Sequence, residues 1–264
     1  MSQSSSRPSD GDGGRMSLLS HLEELRKRLL WIIAVLAVTT FAAFSFSPTL
    51  FNWMRYPLMA IDGQKLQILN PLELFLTYLK VALMAGIVIT VPFALFQIWM
   101  FVSPGLYRHE KKWIAPFILF GTFFFVAGAC FAFFLVLPFG FKYLVAMMPE
   151  GIVAQYSVEK YFSVVMGLMI AFGVVFEVPL VMWILSAVGL IKPTTYIKFR
   201  GYWLIAAFVI GGILTPPDPF TQFMLAIPLI LFFELGIIGA KIIYRARNAP
   251  APAPTDANAP LSTN

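Results

Sequence analysis

The sequence predicts an all-α membrane protein with six transmembrane helices. Of its 264 residues, 59% are hydrophobic and 12% are charged, whereas an average soluble domain carries about 25% charged residues. So few charges cannot cover the surface of a soluble protein of this length, and the uncharged stretches are long enough to cross a bilayer as helices. One cysteine and two histidines argue against a disulfide scaffold, a metal centre or a cofactor.

Six apolar stretches account for the predicted spans. The first four are long enough to cross about 30 Å of hydrocarbon, which takes roughly 20 helical residues. The last apolar region contains three prolines within four residues, which cannot continue a helix, so it is divided into two spans joined by a tight turn. The predicted spans are Leu29–Phe46, Val81–Val102, Trp113–Phe141, Tyr161–Ile191, Gly201–Leu214 and Phe220–Ala240.

The fifth predicted span is short. Its 14 residues form a helix of about 21 Å, which is less than the thickness of the hydrocarbon core. A short span either thins the bilayer locally or lies behind its neighbours. We therefore expect the bilayer to be thinned beside Gly201–Leu214.

The distribution of basic residues predicts the orientation of the spans. Fourteen of the 19 Lys and Arg residues lie before span one, after span six or in the loops that follow spans two and four, and five lie on the other side. Because cytoplasmic loops carry the excess of Lys and Arg, both termini are predicted to be cytoplasmic. This asymmetry also accounts for the net charge of +6 without a nucleic-acid partner.

The composition divides the chain into three parts. Residues 1–16 are rich in Ser, Gly and Asp, and residues 246–264 are rich in Ala and Pro. Such segments bury too little apolar surface to fold, so both are predicted to be disordered cytoplasmic tails. Residues 17–245 form the predicted six-span membrane domain.

An amphipathic cytoplasmic helix is predicted over Ser17–Leu30, just before the first span. Leucines recur along it at helical spacing. Ser20, with Glu23 three residues later, fits a capping box in which Ser20 is the N-cap. This helix is expected to run directly into span one.

Three cytoplasmic acids outside the tails stand among many bases: Glu23, Glu24 and Glu110. On a helix, Glu23 lies four residues before Lys27. Glu24 likewise lies four residues before Arg28, and opposite charges at this spacing pair with each other. From the charge pattern alone, intrahelical pairing is the favoured explanation and a binding site is the alternative.

Glu177 is the acid that the sequence places deepest in the membrane. It lies roughly 16 Å from the cytoplasmic end of its span, where an ionised carboxylate costs several kcal/mol unless it faces a cavity, a partner or a proton. A functional role is favoured over a neutral carboxyl group bonded to a neighbouring helix. Pro179, two residues later, predicts a bend at this point.

Other polar residues near the ends of spans have two explanations each. Glu234 is expected to pair with Lys241 at the membrane interface, rather than to have a function of its own. Asp218 either forms an Asx-type turn between prolines or has a functional role. Thr215 and Gln222 flank that turn and can hydrogen-bond a polar group of a partner within the membrane.

Three stretches together resemble the TatC family, the multispanning core and receptor component of the twin-arginine protein translocase. The first is His21–Arg28, before span one. The second is Gln97–Lys112, which includes Leu-Tyr-Arg-His-Glu. The third combines Ala171–Pro179, which includes Phe-Glu-Val-Pro, with Leu214–Asp218. The resemblance extends over residues 17–245.

This resemblance implies a fold, a function and a location. The fold is a concave, glove-like bundle of six helices in which spans five and six are short. The function is that of a receptor, not an enzyme, which binds the twin-arginine signal peptides of folded proteins and organises single-span partner subunits in an oligomeric complex. Export is driven by the proton-motive force, and the location is the bacterial cytoplasmic membrane.

The resemblance also assigns residues to the signal-binding site. It implies that Glu24 and Glu110 contact the twin arginines, with Arg26 and Phe101 important beside them. The chemistry agrees, because a guanidinium group prefers a planar, bidentate anionic partner and carboxylates supply one. The surrounding bases repel an arginine pair elsewhere on this face and attract anionic lipids, which makes a binding site the favoured explanation for these two acids.

Further residues that the resemblance marks lie in or beside the spans. They comprise the intramembrane acid Glu177, the polar contacts Thr215 and Gln222 for the single-span partners, and the structurally or functionally important Pro57, Pro92 and Asp218. The alternative function is a proton-coupled small-solute transporter, which an intramembrane acid and broken helices also fit. No inverted repeat is visible in the sequence to support that alternative.

Overall fold

The computed structural model describes residues 12–59, 65–102, 114–149, 155–214 and 219–247. Within these residues the chain is helical apart from two short strands. In chain order the elements are α1 (Asp12–Phe44), α2 (Ser47–Met54), α3 (Tyr56–Met59), β1 (Lys65–Gln67), α4 (Pro71–Val102), α5 (Ile114–Phe131), a π-helical segment (Ala132–Val136), α6 (Leu137–Ala146), β2 (Gln155–Ser157), α7 (Val158–Phe176), α8 (Val178–Ala187), α9 (Pro193–Lys198), α10 (Arg200–Leu214) and α11 (Pro219–Arg247).

The helices reproduce the six predicted spans. Five helical stretches are long and apolar enough to cross a membrane: Ser20–Phe44, Pro71–Phe101, Ala115–Ala146, Val158–Ala187 and Gln222–Ala246. The remaining span is α10, which has 15 residues and a length of about 22 Å. The fifth span is therefore short, as the sequence predicts.

Helix α11 is longer than the predicted sixth span. It has 29 residues and extends for about 43 Å, and Pro228 lies inside it without ending it. The helix continues beyond Ala240 through a segment that contains Lys241, Arg245 and Arg247. The helix therefore extends past the predicted end of the span.

The first helix begins earlier than the sequence predicts. Helix α1 runs without a break from Asp12 to Phe44, so Ser20 lies inside the helix and is not its N-cap. Good helix formers such as Met16 and Leu18 precede it and allow the helix to extend. Helices α1 and α11 enter the two predicted tails at residues 12–16 and 246–247, and the remaining tail residues lie outside the described part of the chain.

Helix α1 lies at the edge of the bundle and packs along α4. The contact is polar at its centre, where the Thr39 hydroxyl lies 3.2 Å from the carbonyl oxygen of Gly86 and 2.9 Å from the hydroxyl of Thr90. A Cβ atom at Gly86 would lie 2.4 Å from Oγ1 of Thr40. Small residues of this kind let helix backbones approach closely within a membrane.

The fourth span is interrupted where the sequence predicts a bend. Helix α7 ends at Phe176 and α8 begins at Val178, with Glu177 between them. Pro179 lies near the start of α8 and has no N–H group to continue the ladder. The predicted bend is confirmed, and it places Glu177 at the break.

The core of the bundle surrounds α7. Phe162, Val165 and Phe172 are almost completely inaccessible to solvent, and side chains of α4, α5 and α11 pack around them. The segments between the spans on the predicted external side also fold. Residues 65–67 of β1 pair in parallel with residues 155–157 of β2.

Candidate functional site

Glu24 lies on the half-buried side of α1 before the first span and binds a guanidinium group. Arg28 donates from Nε to Oε1 of Glu24 at 3.0 Å, and its Nη2 donates to the same oxygen. The Glu24 side chain remains 34% exposed, whereas that of Arg28 is 18% exposed. The predicted i,i+4 pair is confirmed here, and it shows that this carboxylate accepts two donors of one guanidinium group.

The C-terminal end of α4 forms the other side of this site. Nη1 of Arg28 donates to Oε1 of Gln97 at 3.1 Å. The ring of Phe101 stacks on that of His21, with centroids 4.2 Å apart and planes at 16°, and Nδ1 of His21 lies 3.9 Å from the second oxygen of Glu24. The structure thus brings Phe101 into the surroundings of Glu24.

Of the two other predicted members of the signal-binding site, the structure describes Arg26 alone. Arg26 is exposed on α1, two residues from Glu24, and residues at that spacing do not face each other on a helix. Glu110 lies outside the described residues, as do Thr215 and Asp218 at the turn between α10 and α11. The structure therefore gives no geometry for these three.

Glu177 is half-buried at the break in the fourth span, and both of its carboxylate oxygens are inaccessible to solvent. Within the described part of the chain neither of its carboxylate oxygens has a hydrogen-bond partner, so the alternative of a carboxyl group bonded to a neighbouring helix is not what this structure contains. A Cβ atom at Gly121 would lie 3.3 Å from Oε2 of Glu177 and 2.6 Å from a methyl carbon of Leu95. The absence of a side chain at Gly121 therefore leaves room for the carboxyl group.

Glu234 pairs with a different base from the one predicted. Its Oε2 accepts a hydrogen bond from Nη2 of Arg200 at 2.5 Å. The expected partner Lys241 lies seven residues along α11, about 10 Å further along the axis, whereas the packing of α10 against α11 places Arg200 beside Glu234. The prediction was wrong because it considered only neighbours in sequence.

The remaining predicted residues lie in well-packed positions. Nε2 of Gln222 donates to the carbonyl oxygen of Phe208 at 2.9 Å, so its half-buried amide already joins α11 to α10. Pro57 is fully buried in α3, and Pro92 lies inside α4.

Tyr196 in α9 joins this short helix to α8. Its hydroxyl donates to the carbonyl oxygen of Met182 at 3.2 Å, and burial raises the pKa of Tyr196.

Glu73, on the predicted external side, forms a clamp between the start of α4 and the start of α7. The sequence reasoning missed it. This residue is 3% exposed, and its Oε1 accepts from the hydroxyl of Ser157 at 2.5 Å and the N–H of Glu159 at 2.7 Å. Its Oε2 accepts from the N–H groups of Leu69 and Asn70 at 2.7 and 3.3 Å. Asn70 followed by Glu73 three residues later is a capping-box spacing, and that was the available sequence signal.

The fold and this site define a class: a multi-pass helical membrane protein with a guanidinium-binding carboxylate at one end of its first span. A family model described as Sec-independent protein translocase protein (TatC) matches residues 20–228. A TatC protein of Desulforapulum autotrophicum is 37% identical over 231 residues, which cover 87% of this chain and 86% of the relative. The TatC protein of Escherichia coli (strain K12) is 36% identical over 234 residues, covering 88% and 91%.

Solved structures agree with these sequence relatives. A crystal structure of the twin-arginine translocase receptor TatC has a TM-score of 0.77 and 38% identity, and the match covers 85% of this chain and 100% of that chain. A structure of the same receptor in DDM has a TM-score of 0.76 and 37% identity, covering 83% and 98%. The chain belongs to the TatC family of Sec-independent protein translocase proteins.

Membership of this family decides several of the broader predictions. The concave, glove-like bundle of helices is confirmed, and the chain is a multi-pass inner-membrane component of the Tat translocase. The relatives are named for protein translocation and not for a catalysed reaction, so the chain is not an enzyme. The alternative of a small-solute transporter is not favoured.

Proposed function

We propose that this chain is the core receptor of a twin-arginine translocase and binds the signal peptides of folded precursor proteins on the cytoplasmic face. The observation that carries the proposal is the geometry at Glu24. Its carboxylate accepts two donors of a guanidinium group and is still partly accessible. Because guanidinium groups favour this planar arrangement over the point charge of an ammonium group, the site suits Arg better than Lys.

A pair of signal arginines requires a second carboxylate, which we assign to Glu110. The loop that contains Glu110 follows α4, and Phe101 in the last turn of α4 stacks on His21 beside Glu24. The loop therefore starts close to the first carboxylate. The exposed Arg26 belongs to the basic surroundings that repel arginines elsewhere on this face and attract anionic lipid headgroups.

The basic surroundings also support an orientation. Fourteen of the 19 Lys and Arg residues lie on the side of the membrane that holds both termini, which favours cytoplasmic termini. The division into a membrane domain at residues 17–245 and disordered tails at 1–16 and 246–264 stays a prediction. The location that fits these features is the cytoplasmic membrane of a bacterium.

Partner subunits with a single span are proposed to dock at the external end of spans five and six. Gln222 is half-buried there, and Thr215 and Asp218 lie in the sequence between α10 and α11. Polar side chains in this setting hydrogen-bond polar groups of a neighbouring helix. With Glu177 as an intramembrane functional acid and Pro57 and Pro92 as structural supports, the chain organises an oligomeric complex for export driven by the proton-motive force.

Binding of a signal peptide to the site variants tests the proposal. Full-length receptor in membrane vesicles with its single-span partners is crosslinked to a photoreactive twin-arginine peptide. We expect Glu24→Gln and Glu110→Gln each to lower the yield about tenfold, since one charge-assisted pair contributes 1.5–3 kcal/mol. The matched control is Glu23→Gln, which removes an adjacent exposed acid from the same helix and should bind normally. Undiminished crosslinking to Glu24→Gln contradicts the site assignment.

A further inference from the structure

Arg28 fills the carboxylate that the proposed function assigns to a signal arginine. Two of its guanidinium nitrogens donate to Glu24, and the third donates to Gln97 on α4. Its side chain is more buried than that of Glu24. The acidic site is thus occupied by a group of the same chemistry as the signal arginine.

We propose that Arg28, held by Gln97, is an internal competitor of the incoming signal arginine. A signal peptide binds by exchange, in which its guanidinium group takes over Glu24 while Arg28 keeps its hydrogen bond to Gln97. This inference rests on the proposed function, because it presupposes that Glu24 is the signal contact.

The geometry favours exchange over a permanent structural pair. Gln97 belongs to a different helix from Glu24, so Arg28 has an alternative acceptor within reach that does not depend on Glu24. Partly exposed ion pairs are weak because water and the entropy of both side chains oppose them. The Arg28–Glu24 pair is therefore strong enough to form within the receptor. It is also weak enough to be displaced by a signal peptide that makes further contacts.

Competition of this kind has a quantitative signature. A ligand that needs free Glu24 binds with an apparent Kd equal to its intrinsic Kd divided by the fraction of receptors in which Glu24 is free. The factor is the same for every peptide. Competition from Arg28 therefore increases the apparent Kd of every peptide by the same factor. It does not alter the preference between Arg and Lys peptides.

The inference is tested by measuring Kd for two fluorescent peptides, one with twin arginines and one with twin lysines. The receptor is the full chain in nanodiscs of zwitterionic lipid, which removes competition from anionic headgroups. We expect Arg28→Gln to tighten both peptides by about three- to tenfold and by equal factors. Arg28→Lys keeps the charge but loses the planar donor set, so we expect it to tighten both peptides by about twofold. Gln97→Leu removes the acceptor that holds Arg28 after its displacement from Glu24, so we expect it to weaken both peptides by about twofold.

The matched control is Lys27→Gln, which removes one positive charge from the neighbouring position of the same helix. Equal tightening by Lys27→Gln and Arg28→Gln would mean that the effect is general charge repulsion, and would overturn the inference. Wild-type or weaker affinity in both Arg28 variants would overturn it too, as would unequal tightening of the two peptides. Tightening by Arg28→Lys with a wild-type Lys27→Gln supports it.

The Glu24→Gln variant distinguishes a failure of the proposed signal site from a failure of the proposed competition by Arg28. If Glu24→Gln leaves twin-arginine binding unchanged, the assigned signal site and the competition both fail. If Glu24→Gln weakens twin-arginine binding while both Arg28 variants bind as wild type, only the competition fails. In the supporting case, adding Arg28→Gln to Glu24→Gln produces no tightening, since there is no carboxylate left to free.

Discussion

At the scale of single residues, Glu177 has two carboxylate oxygens that are buried and lack a hydrogen-bond partner within the described residues. Burial of a polar group without a partner is costly, and acids inside membranes are generally functional. The sequence predicted both its depth and the bend beside it from one charge and one proline in an apolar run. The vacant side-chain position at Gly121 depends on packing between helices, which no local pattern contains.

We expect Glu177→Gln to bind signal peptides within about twofold of wild type but to lower export by about tenfold. The amide has the shape of the carboxyl group but can neither carry the charge nor release the proton. The measurement is the export rate of a folded reporter in inverted vesicles, with peptide crosslinking in parallel.

The control for this prediction is Glu159→Gln. Glu159 forms an exposed ion pair with Lys80, and exposed pairs contribute little, so export should be normal. A normal export rate in Glu177→Gln would remove the reason to treat this acid as functional.

The same scale shows why some pairs were predicted and others were not. Glu24 and Arg28 are four residues apart on one helix, so the sequence spacing alone brings them together. Glu234 and Arg200 are 34 residues apart, and their contact depends on how α10 packs on α11. The stacking of Phe101 on His21 is another contact between helices that are far apart in sequence. The resemblance, not the spacing, had indicated Phe101.

At the scale of elements, α1 carries half of the proposed signal site and is held to the bundle by α4. The number and order of the spans followed from their apolar lengths, because the bilayer requires them, whereas their bounds did not: α4 begins at Pro71, ten residues before the predicted Val81. The start of α1 did not, since a helix begins where its local propensities allow and Ser20 was not needed as a cap. The approach of α1 to α4 at Gly86 was likewise invisible in one sequence.

Replacement of Gly86 should therefore disturb signal binding at a distance. In Gly86→Ala the new methyl group meets Oγ1 and backbone atoms of Thr40 at 2.4–3.0 Å, so α1 must shift away from α4. We expect a loss of about 1–3 kcal/mol in stability from overpacking and weaker peptide binding, because the Arg28–Gln97 contact spans the same helix pair. Thermal unfolding in detergent and peptide crosslinking measure the two effects.

Gly167→Ala in α7 is the matched control, since nothing lies within 4 Å of a Cβ atom at that position. It changes the same residue type inside a spanning helix and should be neutral or slightly stabilising. If both alanine variants behave alike, close packing at Gly86 does not hold α1 in place.

At the scale of the whole molecule, the spans differ in length. Helix α10 has 15 residues and α11 has 29, so one side of the bundle presents a short apolar surface to the bilayer. The sequence predicted the short span from the proline turn. It could not give the length of α11, because the stretch after Ala240 mixes apolar residues with Lys241, Arg245 and Arg247 and is compatible with either helix or tail.

Insertion of one apolar turn of four residues into α10 should lower transport. A longer span removes the mismatch that thins the bilayer beside it, and we expect a severalfold drop in export with unchanged peptide binding. The control inserts the same four residues after Arg247, at the end of α11. Full export from the lengthened α10 would count against a role for local thinning.

The fourth span is held at one end by Glu73 and is broken near its middle at Glu177. The carboxylate of Glu73 ties the start of α4 to the start of α7 through Ser157 and Glu159. In a helical span that is fixed at one end and broken near its middle, the part beyond the break has the greater freedom to move. A bend at Glu177 would therefore change the direction of α8 relative to α7, while the end of the span that Glu73 holds would keep its position.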